Sequence, residues 1–141
     1  AGQAADLFWQ GRLDAGKAEA DFIVLNKTAK MIMSAVTVPA YVYNADENII
    51  ALFSEFGKNF GFLFQITDDI LDETGEFEKL GKTVGKDKQE NKLSALALFG
   101  RERSEELADH YCNICLQILN EMPYESGFLQ ALTQYVRRRE A

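Results

Sequence analysis

Histidine is almost missing from this chain, with His110 alone in 141 residues, and cysteine is limited to Cys112 and Cys115. A structural zinc site needs four Cys or His ligands, and the chain holds three such residues in all, so that class is excluded. Cys-x-x-Cys is also a redox spacing, but redox motifs sit in a βαβ setting, and no stretch here alternates as a strand would. The two thiols are therefore expected to pack as small apolar side chains on one helix face. Left unpaired, they suit a reducing cytoplasm. Proline is equally scarce, with two residues, so helices are free to run long. No apolar run approaches the roughly 18 residues of a membrane span. Positive charge is short as well: 15 Lys and Arg face 22 Asp and Glu, a net charge of −7. Nucleic acid requires a basic footprint, so it is excluded as a partner.

What is present is helical. The length suits one domain, and 47% apolar with 26% charged residues is an ordinary globular balance. The pattern predicts the tail of a helix over 4–10, a turn over 11–16, and a helix over 19–38 that buries Phe22, Ile23, Met31, Met33 and Val36 until Pro39 stops it. Asn44 is the expected N-cap of a helix over 45–73. There, Ile49, Phe53, Phe56, Phe60 and Leu63 step by threes and fours along one buried face. A glycine- and lysine-rich loop is expected over 75–91, then helices over 94–99, 104–121 (ended by Pro123) and 126–139. Arg137 to Arg139 fall in the last turn, where cations suit the helix dipole. The fold class is an all-α bundle.

The stretch Phe64-Gln65-Ile66-Thr67-Asp68-Asp69-Ile70-Leu71-Asp72 carries the chemistry. Residues four apart share a helix face, so Asp68 and Asp72 point the same way, and Gln65 and Gly61 are expected to extend that stripe. Asp69 lies about 100° around the helix. Carboxylates this close repel, the more so at a helix C-terminus, where the dipole disfavours negative charge. A hard divalent cation relieves both problems. Mg²⁺ is typically held by one or two carboxylates, with waters and substrate phosphates completing its shell. The cluster reads as a Mg²⁺–diphosphate clamp, and the lysines of the loop that follows suit a lid closing on phosphate.

This nonapeptide resembles the second aspartate-rich motif of the trans-prenyl diphosphate synthases. Gly2-Gln3 followed by Asp6-Leu7 is similar to that family's Gly-Gln-x-x-Asp-Leu segment, Lys27-Thr28 to its Lys-Thr pair, and Leu80-Gly81-Lys82 to its Leu-Gly-Lys loop. Asp87 and Lys92 fall where the family has an acid and a lysine. The resemblance covers essentially the whole chain.

It implies head-to-tail prenyl transfer: an allylic diphosphate ionises, isopentenyl diphosphate attacks the cation, and a proton is lost. By this resemblance Asp68 ligates Mg²⁺ directly, Asp72 ligates it or orients its waters, and Asp69 supports the site. Lys27, Lys82 and Lys92 bind diphosphate, Thr28 and Gln65 line the reacting centre, and Phe64 walls off solvent. Gln3 and Asp6 face the same cavity. A homodimer is the family's usual assembly.

One part of the family pattern is not in this sequence. Asp68-Asp69 is its only Asp-Asp pair, whereas the family has a first aspartate-rich motif followed by an Arg pair. The chain is thus expected to be the C-terminal portion of a synthase domain, inactive alone, with apolar surface exposed where a bundle is cut. Leu96 also stands where the family's Thr-x-Pro has proline. The alternative is a non-catalytic partner subunit. Terpene cyclisation fits the acids but not Lys27-Thr28 or Leu80-Gly81-Lys82.

Overall fold

The computed structural model describes residues 2, 4, 16–80 and 98–139, and no strand occurs among them. The all-α class is as expected. Of the first expected helix, residue 4 is helical and the rest lies outside the described residues, as do positions 81–97.

Helix α1 (Lys17–Val24) begins where the Gly16 N–H donates to Glu19 Oε2 at 2.9 Å. It runs without a break into a π-helical turn (Leu25–Ala29) and then α2 (Lys30–Val42). The Lys30 N–H reaches back to the Leu25 carbonyl, the i→i+5 bond that defines the turn. Asn26 anchors it: Nδ2 donates to the Phe22 carbonyl at 2.8 Å, and Oδ1 accepts from Lys30 Nζ at 2.7 Å. The extra residue corrects the expected burial. A regular helix would carry the inward face of Ala20 and Ile23 on to Lys27 and Met31. After the π turn the inward positions are Ala29, Ala40 and the expected Met33 and Val36, while Met31 is exposed. Phe22 is exposed too.

Pro39 does not stop α2, which continues to Val42. The true stop is Asn44. Its φ of 51° is left-handed, its N–H bonds the Tyr41 carbonyl, and the Ala45 N–H bonds the Ala40 carbonyl. This is a Schellman ending, in which asparagine tolerates the left-handed position. Asn44 therefore closes α2 rather than opening α3. The Asp46 carbonyl starts α3 by accepting from the Ile49 and Ile50 N–H groups.

Helix α3 (Glu47–Leu80) is the axis of the fold, 34 residues and about 50 Å long. One face, Phe56, Phe60, Leu63, Ile66 and Ile70, packs on Ala108, Cys112, Cys115 and Leu119 of α4 (Arg101–Glu121) and Val136 of α5 (Gly127–Arg138). Complete burial of Phe56 or Leu63 contributes about 1.5–3 kcal/mol each. The opposite face carries Gly57 and Gly61, which let the backbones of α2 and the π turn approach at Met33 and Ala29. Helix α3 extends through Gly75 instead of breaking there. The aspartates thus sit mid-helix, and the expected penalty from a helix C-terminus does not apply to them.

Met122, Pro123 and the residues to Ser126 reverse the chain between α4 and α5, with Ser126 Oγ donating to the Leu119 carbonyl at 3.1 Å. Arg137 fastens α5 to α4 through Glu105 (2.9 Å) and Asp109 (2.6 Å). These carboxylates hold the Arg137 guanidinium above its ordinary range, the Asp109 hydrogen bond foremost, against the opposing effect of burial. On the outer side of α2, Met31, Ala35, Val38, Tyr41 and Val42 form one exposed stripe. This stripe is apolar surface open to solvent.

Candidate active site

Three segments far apart in sequence meet on the α2-facing side of α3. Gly2 is buried against the backbone of Asn26 and Lys27, so close that a Cβ would collide with the Lys27 nitrogen. Gly2, the first residue of the Gly-Gln element, is therefore a neighbour of Lys27 in space. The π turn brings Thr28 to Gln65, whose Oε1 accepts from Thr28 Oγ1 at 3.2 Å. Gln65 Nε2 in turn donates to Asp69 Oδ1 at 3.1 Å. An ionised carboxylate only accepts, so the amide must turn its nitrogen to Asp69 and its oxygen to Thr28. The relay has one polarity and presents oxygen lone pairs at the Thr28 end. Such a surface suits a positively charged reacting centre.

The order of the stripes differs from that expected. Gly61, Gln65 and Asp69 form one row, and Phe64, Asp68 and Asp72 the next. Gln65 serves Asp69, not Asp68. Asp68 instead pairs with Arg139, whose Nη2 lies 2.9 Å from Oδ1. The same nitrogen lies 3.4 Å from the Phe64 carbonyl, and the guanidinium carbon sits 4.5 Å from the centre of the Phe64 ring. Phe64 is half-buried and serves as the floor for this cation. Arg139 was assigned by sequence to the dipole of its own helix. Its role is at Asp68, 71 residues away, and no spacing signal links the two.

Asp72 is exposed one turn beyond Asp68, and Lys27 is exposed on the π turn. Among the described residues no three His, Cys, Asp or Glu converge as a ready-made cage. The donors are nevertheless hard carboxylate oxygens, the set that suits Mg²⁺, and a cation, Arg139, already rests on Asp68. The expected roles of Gln3, Asp6, Lys82 and Lys92 lie outside the described residues, as does Asp87.

Cys112 and Cys115 are both buried and unpaired with each other. Burial pushes the Cys115 thiol up to about 12, assisted by the neighbouring Cys112. The Cys112 thiol is also raised, by burial first, against the opposing charge of Arg137. Both are inert packing groups under α3. No helix among the described residues is long and apolar enough to cross a membrane.

A model of the polyprenyl synthetase family matches residues 1–124. A chloroplastic geranylgeranyl pyrophosphate synthase of Catharanthus roseus is 35% identical over 141 residues, 99% of this chain and 40% of that protein. The farnesyl diphosphate synthase of Micrococcus luteus is 33% identical over 121 residues, 86% of this chain and 42% of that protein. The chain thus spans about two fifths of the length of the curated relatives it matches. Its fold follows that of the heptaprenyl diphosphate synthase of Staphylococcus aureus with a TM-score of 0.85 at 20% identity, over 99% of this chain and 56% of that one. A family model along most of the chain, and relatives above 30% identity along nearly all of it, decide its membership: this chain belongs to the polyprenyl synthetase family.

Proposed function

We propose that the chain is the C-terminal portion of a trans-prenyltransferase that condenses an allylic diphosphate with isopentenyl diphosphate. The observation that carries this reading is the Thr28–Gln65–Asp69 relay, set beside the Asp68 row of the same helix. It gives one wall of a site with an anionic rim for metal and phosphate, and an oxygen-lined flank for a cationic carbon.

Asp68 and Asp72 are the residues that would hold Mg²⁺, with Asp69 kept in place by Gln65. A bound divalent cation would supply charge neutralisation for the leaving diphosphate. Thr28 and Gln65 would orient the reacting end, and Phe64 would exclude water from that side. Lys27, with Lys82 and Lys92, would supply point charges for phosphate oxygens. Two further features belong to the proposal. The exposed stripe of α2 supports association with a second chain, here a homodimer. The reduced thiols support a reducing compartment, the cytoplasm.

Calorimetric titration of an unreactive allylic diphosphate analogue, with and without Mg²⁺, tests the reading on this chain and on Asp68→Ala. Binding that requires both the metal and Asp68 is the expected result. Metal-independent binding, or binding unchanged in Asp68→Ala, would overturn it.

A further inference from the structure

Arg139 is delivered to Asp68 by the construction of α5. Thr133 and Val136 are buried, and Arg137 is bonded to two carboxylates of α4, so the end of the helix is fixed. Arg139 lies one residue beyond, in extended backbone (φ −58°, ψ 139°), with its N–H bonded to the Tyr135 carbonyl. Its side chain is 19% exposed and lies on the Phe64 ring. The contact with Asp68 is nevertheless incomplete. A guanidinium commonly meets a carboxylate through two parallel bonds; here one nitrogen meets one oxygen. The Arg139 Nε is buried with no acceptor among the described residues, and Asp68 remains 46% exposed. The pair neutralises Asp68 while leaving its carboxylate open from the other side.

We propose that Arg139 is a resident counter-ion of Asp68 that a divalent cation must displace, so that metal binding releases the residue just past α5. This rests on the reading of Asp68 as a metal ligand. A divalent ion on the open side of the same carboxylate would stand within a few ångströms of the guanidinium, and the repulsion between them favours release of Arg139. A doubly charged ion outcompetes a monodentate guanidinium, but at a reduced apparent affinity. Without metal, Arg139 relieves the repulsion among Asp68, Asp69 and Asp72, which keeps the middle of α3 intact. With metal bound, its five N–H donors become available beside the site. Arg139 is then a positioning residue that sets the metal concentration at which the site fills.

The test is a Mn²⁺ titration followed by electron paramagnetic resonance on the wild-type chain, Arg139→Gln, Arg139→Lys and Asp68→Asn, with thermal unfolding run on each. Arg139→Gln is expected to bind Mn²⁺ about three- to tenfold more tightly, the range set by an exposed ion pair with a cation–π contact. Arg139→Lys, which keeps the charge without the planar stack, falls between. In the wild type, saturating Mg²⁺ shifts the Arg139 Nε–H resonance. If Asp68→Asn abolishes binding but Arg139→Gln leaves the affinity unchanged or the Nε–H signal does not move, the counter-ion proposal is overturned and the metal site stands. Absent metal binding, or binding indifferent to Asp68→Asn, overturns the metal reading and the proposal with it.

Discussion

Gly61 and Ala29 lie in backbone contact: a Cβ built on Gly61 would stand 2.5 Å from the Ala29 Cα and 2.6 Å from its Cβ. Neither backbone can yield without moving the π turn that carries Thr28. Gly61→Ala gains up to about 1 kcal/mol in helix propensity but overpacks a site with no give, at a cost of about 1–3 kcal/mol or more. A net loss of about 1–2 kcal/mol is expected, read from a lower urea midpoint. A midpoint equal to or above wild type would show that the two helices separate freely.

The bond between Thr28 and Gln65 is testable as a coupling. Thr28→Val, Gln65→Leu and the double variant form a cycle, and an interaction of about 0.5–1.5 kcal/mol is expected from unfolding free energies. Strict additivity would mean that the relay is not formed in solution.

Alkaline pH should weaken the fold through Cys115. Its thiol ionises near 9.0 when unburied but near 12 in the folded chain. The folded value is raised, so the stabilising contribution is complete below about pH 9 and is lost as pH climbs toward about 12. Between pH 8 and pH 10.5 this costs about 1–2 kcal/mol beyond what the other groups contribute. Denaturation curves at the two values should show a shallower loss for Cys115→Ala than for wild type. Equal losses would remove Cys115 as the cause.

The exposed α2 stripe predicts self-association. Val38 is 55% and Met31 68% exposed on the same side of the helix, and large apolar patches of this kind mark interaction surfaces. Sedimentation should show the wild-type chain associating at micromolar concentration and Val38→Glu shifting it toward monomer. A wild-type chain that sediments as a monomer throughout would refute this.

The face of α3 was legible in sequence because its period is uninterrupted. Ile49, Phe56, Phe60 and Leu63 are all buried, and Phe53 is partly so. The motif in residues 64–72 was legible for a similar reason, since its spacing is local. Other features depend on partners that sequence does not reveal. Gly75 looked like a breaker, but a cost of about 1 kcal/mol is too small to end a helix by itself. Asn44 is favourable at either kind of helix end, and only the bond from the Ala45 N–H to the Ala40 carbonyl distinguishes them. On α2, Met33 and Val36 keep the expected face and Met31 does not, because the inserted residue breaks the period. Arg139 was misplaced because its partner lies 71 residues away.

That inserted residue gives one helical stretch a place where a change of length need not change its face. Deleting a single position within 25–28 would leave Lys17–Val42 free to form an unbroken α-helix. The π turn already sets everything after it back by about one residue, or about 100°, so the deletion would keep Ala29 against Gly61 and Met33 and Val36 against Gly57. In aligning this chain with its relatives, a one-residue gap here is therefore the loss of a bulge, whereas the same gap elsewhere in this stretch would turn a different face to the neighbouring helix.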